Sequence, residues 1–350
     1  MDVARFGTRE ARRVVQIRYG AAALDALDTT GLWAVVATFE GEVVAAQLAD
    51  VSPVEAPVAD PAGWAPLDGS WSTTLDATAY RLAVQEVRGR VAAGAVYQSN
   101  ICRVMTHPLS ADADLGGLAA LLRQGNPAPY ASRVKVAEAD LDIVCASPEL
   151  FLSRRGTRLA SSPVKGTAAP GAPMLDKDYA ENVMITDLVR NDLSHVCLPG
   201  TVDVEVLCGA EDHPGLSHLV TTVAGRLRPD ATWAKIFAAT FPPGSVSGAP
   251  KSSALRAIAD LEPGPRGPYC GAVGWVDADT REAELAVGIR TFWAEHDISG
   301  RRWLRFGTGA GITWGSDPQA EWEETELKAR RLVALASGHG HGALTKGHRG

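Results

Sequence analysis

Two pairs of acids, one lysine in a Pro/Gly-bounded segment and one glutamate beside a proline have types and spacing that could do chemistry. Asp178 and Glu181 stand three residues apart, as do Glu321 and Glu324. On a helix, residues three apart share a face, with Cβ atoms about 5–6 Å apart. Each pair would present two carboxylates together, which suits a hard cation such as Mg²⁺ that takes oxygen ligands and keeps waters. Acid pairs are also common on solvated helix faces, so neither pair alone makes a site. Lys165 lies in SSPVKGT (161–167), where Pro163 and Gly166 predict a short, stiff turn. Lysines are mostly exposed, so in isolation Lys165 reads as an exposed turn lysine. Glu149 in ASPEL reads on its own as a surface acid at a strand end.

Two glycine-rich stretches complete the inventory. FPPGSVSGAPKSSALRAI (241–258) runs from a loop into a helix, with Pro250 at a favoured first-turn position. Free N–H groups there would suit an anion such as a carboxylate. GTGAGI (307–312) follows a strand but opens no helix and lacks the final glycine spacing, so a dinucleotide fold is rejected.

These groups need elements to carry them. Residues 32–39 and 43–48 predict a hairpin across Glu40-Gly41-Glu42, and the Pro/Gly-rich residues 51–70 a loop or linker. A helix is expected over 75–94 with Asp76 as cap, a strand over 95–105, and a short helix over 114–124. Residues 143–152 form a strand interrupted at 147–149. The AAPGAP loop (168–173) leads to a helix capped by Asp176 and ending near Ser194. A strand over 201–208, a helix over 233–240, strands over 269–276, 284–293 and 302–306, and a helix over 317–335 follow. Residues 336–350 are Gly/His-rich and expected to be disordered. Without regular βαβ alternation, an α+β fold on large, mostly antiparallel sheets is expected.

At 350 residues and 46% hydrophobic content, the chain can bury a large core as one domain or two. A net charge of −7 argues against a nucleic-acid partner. The five cysteines show no metal-binding spacing and fit reduced thiols in the cytoplasm. Neither a signal peptide nor a bilayer-spanning apolar run is apparent, so no membrane partner is expected.

The segments PVKGT, DxxAEN and DLVRNDL resemble the chorismate-utilising enzymes: anthranilate, aminodeoxychorismate, isochorismate and salicylate synthases. The resemblance covers roughly 71–334. It implies a β-sandwich-like core flanked by helices, with a catalytic domain over 71–335 behind a short β-rich segment and linker over 1–70. It also implies Mg²⁺ between the two acid helices, held by Glu181, Glu321, Glu324 and Asp178 and touching the substrate's ring carboxylate. Asp178 stands where many relatives have glutamate, a shorter reach. Lys165 resembles the lysine of aminodeoxychorismate synthases that attacks C2 of chorismate, a position that is alanine in anthranilate synthases. Gln98 in YQSN stands where water-adding relatives have an activating lysine. Glu149 would be the acid or base at C4. Arg290 would pair a substrate carboxylate. Thr167, His218, Lys251, Tyr269 and the backbone of Gly309, Ala310 and Gly311 would line the same cavity. The activity implied is that of the large subunit of aminodeoxychorismate synthase, with ammonia from a separate glutamine amidotransferase subunit. The alternatives are anthranilate synthase component I and a non-catalytic chorismate-binding protein.

Overall fold

Period-two alternation dominates the chain and builds antiparallel strands. The computed structural model describes residues 2–54, 63–168, 172–213 and 216–338. Parts of the expected linker, of the AAPGAP loop and of the tail lie outside the described residues. The chain opens with β1 (Val3–Phe6), β2 (Arg9–Tyr19), α1 (Gly20–Ala26), β3 (Leu32–Ala37) and β4 (Val43–Pro53). Next come β5 (Ser72–Thr73), α2 (Ala77–Ala92), β6 (Gln98–Pro108), α3 (Leu115–Gly125), β7 (Tyr130–Val136) and β8 (Leu141–Ser147). β9 (Leu150–Arg155), β10 (Arg158–Ser162) and β11 (Val164–Ala168) lead to α4 (Asp176–Ser194). After it run β12 (Asp203–His213), β13 (Leu216–Arg226), α5 (Trp233–Thr240), α6 (Gly244–Ser247), β14 (Gly248–Ala249) and α7 (Lys251–Leu261). The chain closes with β15 (Ala272–Asp277), β16 (Glu282–Val287), β17 (Thr291–His296), β18 (Arg302–Ile312) and α8 (Pro318–Ala336).

The strand pairings among the described residues are antiparallel and join into one continuous ladder. One half runs β6–β18–β17–β8–β7–β1. Through β1 and β2 it continues into β4–β3–β15–β16–β9–β10–β13–β12. The first strands are therefore woven into the same ladder as the rest, through the β1–β7 and β3–β15 pairs. Alternation along β8 sends Ile143 and Cys145 into the main core, shared with residues of the second half. Val144 and Ala146 face a second core under α3 and α8. A third cluster seats α2 on Ile101, Ala310 and Ile312. This is the α+β, mostly antiparallel architecture expected, with helices flanking the sheets.

Local signals explain most element ends. Asp76 accepts from the N–H groups of Thr78 and Ala79 at 2.9 and 2.8 Å, and Asp317 caps α8 in the same way. Several expectations need correction. Asp176 is the first residue of α4 rather than its cap; Leu175 is the N-cap residue, and Asp178 accepts from its N–H at 3.0 Å. The stretch 284–293 is two strands, because the chain turns at Arg290 with φ +52. GTGAGI continues β18 instead of leaving it, since its small residues lie flush against β6. Lys165 sits on β11, not in a turn.

Candidate active site

Lys165 owes its position to a distortion of β11. Gly166 takes φ +81, and a Cβ there would meet that of Asp178 at 2.8 Å, so glycine lets the strand press against α4. The β11–β13 register shifts between Val164 and Thr167. Lys165 Nζ donates to the carbonyl of Ser245 at 3.0 Å. Asn100 Nδ2 donates to the same oxygen at 3.4 Å, and Gln98 Nε2 to Asn100 Oδ1 at 3.4 Å. The segment carrying Ser245 is itself buried and pinned. Arg266, 1% exposed, donates to the carbonyls of Val246 at 2.9 Å and Asn100 at 3.1 Å, and pairs with both carboxylate oxygens of Glu262. A buried guanidinium is tolerable only with its donors satisfied in this way.

Glu149 follows Pro148 in the break between β8 and β9 and is 3% exposed. Burial pushes its carboxyl up to about 7, although the Ser245 hydroxyl, the Lys165 charge and the Val164 N–H pull it back. Its Oε1 is buried with no hydrogen-bond partner among the described residues.

Acids of α4 and α8 lie close enough to act on one another, since the charge of Glu324 is felt by both Glu181 and Glu321. Burial raises the carboxyls of Glu181 and Glu321, and the negative charge of Glu324 raises both further. Glu324 is held below the usual range against its own burial by Lys328, whose Nζ lies 2.7 Å away and also donates to Gly309 O at 3.1 Å. Carboxylates that repel one another across two helices fit a divalent cation, so Glu181, Glu321 and Glu324 suit Mg²⁺ by charge and donor type. Among the described residues, no three His, Cys, Asp or Glu side chains converge closely enough to hold a metal as they stand. Asp178 is engaged in capping α4.

The expected anchors divide. Arg290 is half-buried, its pKa lowered by burial and by Arg331, and no carboxylate pairs with it among the described residues. A substrate carboxylate would complete it. Tyr269 is buried, its ring lying where any side chain at Gly307 would stand. His218 is buried on β13, opposite Thr167 on β11, of which only the backbone is described. Lys251, expected at the substrate, is instead bound to Asp192 at 2.8 Å and to the carbonyl of Thr240 at 3.1 Å. A Cβ at Gly309 would strike Cys102 Sγ, one at Gly311 would strike Gln98, and the Ala310 methyl lies in the core beneath α2. Packing against β6 accounts for these small residues. Lys328, Ser245 and Asn100 escaped sequence reasoning. Lys328 stands one turn after Glu324 and could have been found by that spacing. Ser245 acts through its carbonyl, which no sequence pattern marks.

Glu149 makes stability pH-dependent in a defined direction. The native carboxyl keeps its proton to about 7, whereas the unfolded chain releases it near the ordinary value of 4.5. Unfolding therefore releases a proton between those values, and stability falls as pH rises through that window. Glu149→Gln abolishes this term. Its unfolding free energy relative to the native chain should improve by up to about 3 kcal/mol between about pH 5 and about pH 8, measured by urea titration. An unchanged difference at the two pH values would contradict the buried, proton-retaining carboxyl.

Comparison with known proteins places this geometry. The family model for chorismate binding enzyme matches residues 25–334, beginning earlier than the sequence motifs suggested. Anthranilate synthase component 1 of Saccharolobus solfataricus is 35% identical over 274 residues, covering 75% of this chain and 63% of that protein. An aminodeoxychorismate synthase of Streptomyces griseus is 38% identical over 276 residues, covering 74% of this chain and 36% of that protein. The chain thus spans about half the length of several of the curated relatives it matches. In fold it is similar to the menaquinone-specific isochorismate synthase of Escherichia coli, with TM-score 0.77 at 18% identity over 96% of this chain and 89% of that one. Among the described residues no helix is long and apolar enough to cross a membrane. The family match over most of the chain agrees with the acid helices, the buried glutamate and the bulged lysine strand, and the chain belongs to the chorismate-binding enzymes.

Proposed function

We propose that the chain is the chorismate-aminating component I of an aminodeoxychorismate synthase. It would convert chorismate and ammonia to 4-amino-4-deoxychorismate, a precursor of p-aminobenzoate and folate. The observation that carries this reading is Lys165. Its Nζ lies 3.0 Å from Ser245 O, and Glu149, Glu181 and Glu324 are all close enough to feel its charge. It thus adjoins both the proposed proton donor and two of the proposed cation ligands.

In this scheme Lys165 Nζ, as the unprotonated amine, bonds to C2 of chorismate through its lone pair, the ring double bonds shift, and the C4–oxygen bond breaks. Glu149, protonated up to about 7, gives the departing hydroxyl its proton so that water leaves. Ammonia then bonds to C4, the reverse shift expels the lysine as a neutral amine, and the new C4 nitrogen returns a proton to the Glu149 carboxylate. Arg290 pairs one substrate carboxylate. Glu181, Glu321 and Glu324 would hold Mg²⁺, which supplies electrostatic stabilisation of the other carboxylate. Gln98 has no basic nitrogen with which to activate water, which disfavours a water-adding reaction. The ammonia would come from a separate glutamine amidotransferase subunit in the cytoplasm. Anthranilate synthase component I is the second reading, favoured by relatives of that name; Lys165 speaks against it.

Lys165→Ala should lower formation of 4-amino-4-deoxychorismate by at least about a thousandfold while leaving chorismate affinity within a few-fold, because the anchors are untouched. Mass spectrometry of the native chain with chorismate and without ammonia should find an adduct on Lys165. Near-native turnover by the alanine variant would remove the covalent role.

Glu181→Gln and Glu321→Gln should each weaken Mg²⁺ binding, measured by titration calorimetry, by about tenfold or more, with the fold retained by circular dichroism. Native-like Mg²⁺ affinity in either variant would exclude that residue from the site.

A further inference from the structure

The loop that carries Ser245 is closed by a side chain to which the scheme above gives no part. Residues 241–250 run from Thr240, the last residue of α5, to Lys251, the first of α7. Lys251 Nζ reaches back to the carbonyl of Thr240 at 3.1 Å and so joins the two ends of the loop. The same nitrogen lies 2.8 Å from Asp192 Oδ2 on α4, where Asp192 is 8% exposed. The loop rests on this stretch of α4. A Cβ at Gly244 would meet that of Leu188, one turn before Asp192, at 3.5 Å. Arg266, bound to the carbonyls of Val246 and Asn100, and the pairing of Gly248 with Ser99 hold the later half of the loop to β6. Lys251 supplies a tie to α4, the helix that also carries Glu181.

Between these ties, Ser245 meets both groups to which the scheme gives chemistry. Its carbonyl accepts from Lys165 Nζ at 3.0 Å, and its hydroxyl bonds the Glu149 carboxyl. Reacting groups displaced by about 1 Å can lose about a hundredfold in rate, so whatever fixes Ser245 bears on both.

We propose that Lys251 is a positioning residue: by joining Asp192 on α4 to both ends of the 241–250 loop it fixes Ser245, and through Ser245 the Lys165 amine and the Glu149 carboxyl. The chemistry of those two groups rests on the function proposed above; the bracing of the loop does not.

Removing both charges of the pair tests this without leaving either buried alone. Asp192→Asn/Lys251→Met keeps the net charge, so the distant field at Glu149 changes little. Lys251→Met alone serves if the double variant does not fold, because burial already disposes Asp192 to keep a proton. With Ser245 released, Glu149 loses the hydroxyl bond and part of the Lys165 charge that draw its proton off, while Lys328 stays in place. Its titration should move upward from about 7 by about half a pH unit or more. The protonated-carboxyl band that Glu149→Gln removes from the infrared spectrum reads that titration without turnover. Turnover of chorismate with ammonia should fall about tenfold or more, with the KM for chorismate within about twofold. A variant that loses thermal stability alone, and keeps the native Glu149 titration and turnover, overturns the proposal. A native chain that gives no aminated product contradicts the proposed function, and the infrared titration then decides the role of Lys251 by itself.

Discussion

Taking charge out of water requires a partner for it, and the fold withdraws the carboxyls of Glu149, Glu181, Glu321 and Glu324 to positions answered by only a few lysines. Lys165 and Lys328 answer part of that negative charge. The remainder shows as carboxyls raised toward neutrality, most clearly Glu149. A site left in this condition is unfinished by design of its chemistry: a cation between α4 and α8 and an anionic substrate on Arg290 would each relieve a repulsion that the protein alone does not. In the proposed reaction, binding energy and readiness for proton transfer would both come from the same unrelieved charge.

The scaffold is shaped to keep those groups apart and aimed. Arg266 ties the carbonyls of Val246 and Asn100 to Glu262, so the carbonyl that receives Lys165 belongs to a fixed segment. Arg103, 2% exposed, does the same for α8. It donates to Thr325 at 3.1 Å, pairs with Glu326 and lies 4.3 Å from the centre of the Trp322 ring. The turn of α8 held in this way lies next to Glu321 and Glu324. Both arginines come from outside the acid helices, which is why the site depends on the whole ladder.

Elements marked by local chemistry were legible in the sequence. Asp76, Asp114 and Asp317 fix helix starts by side-chain capping, and the hairpin across residues 40–42 follows from alternation around a glycine. The helices that carry the acid pairs and the strand break that carries Glu149 were legible too, although Asp178 turns back to cap α4. What escaped was set by contacts distant in sequence. The bulge at Gly166 depends on Asp178 across from it, and the run 307–312 stays in a strand because β6 accepts its small residues. The commitment of Lys251 to Asp192, 59 positions away, could not be read from VSGAPK. The turn at Arg290 is a non-glycine residue at positive φ, which no composition signal announces.

Identifying the product is the most direct test of the central claim. The native chain, incubated with chorismate, Mg²⁺ and an ammonium salt at alkaline pH, should yield 4-amino-4-deoxychorismate, identified by mass and by the position of its nitrogen in a proton–nitrogen correlation spectrum. Anthranilate with released pyruvate, or isochorismate, as the main product would contradict the account.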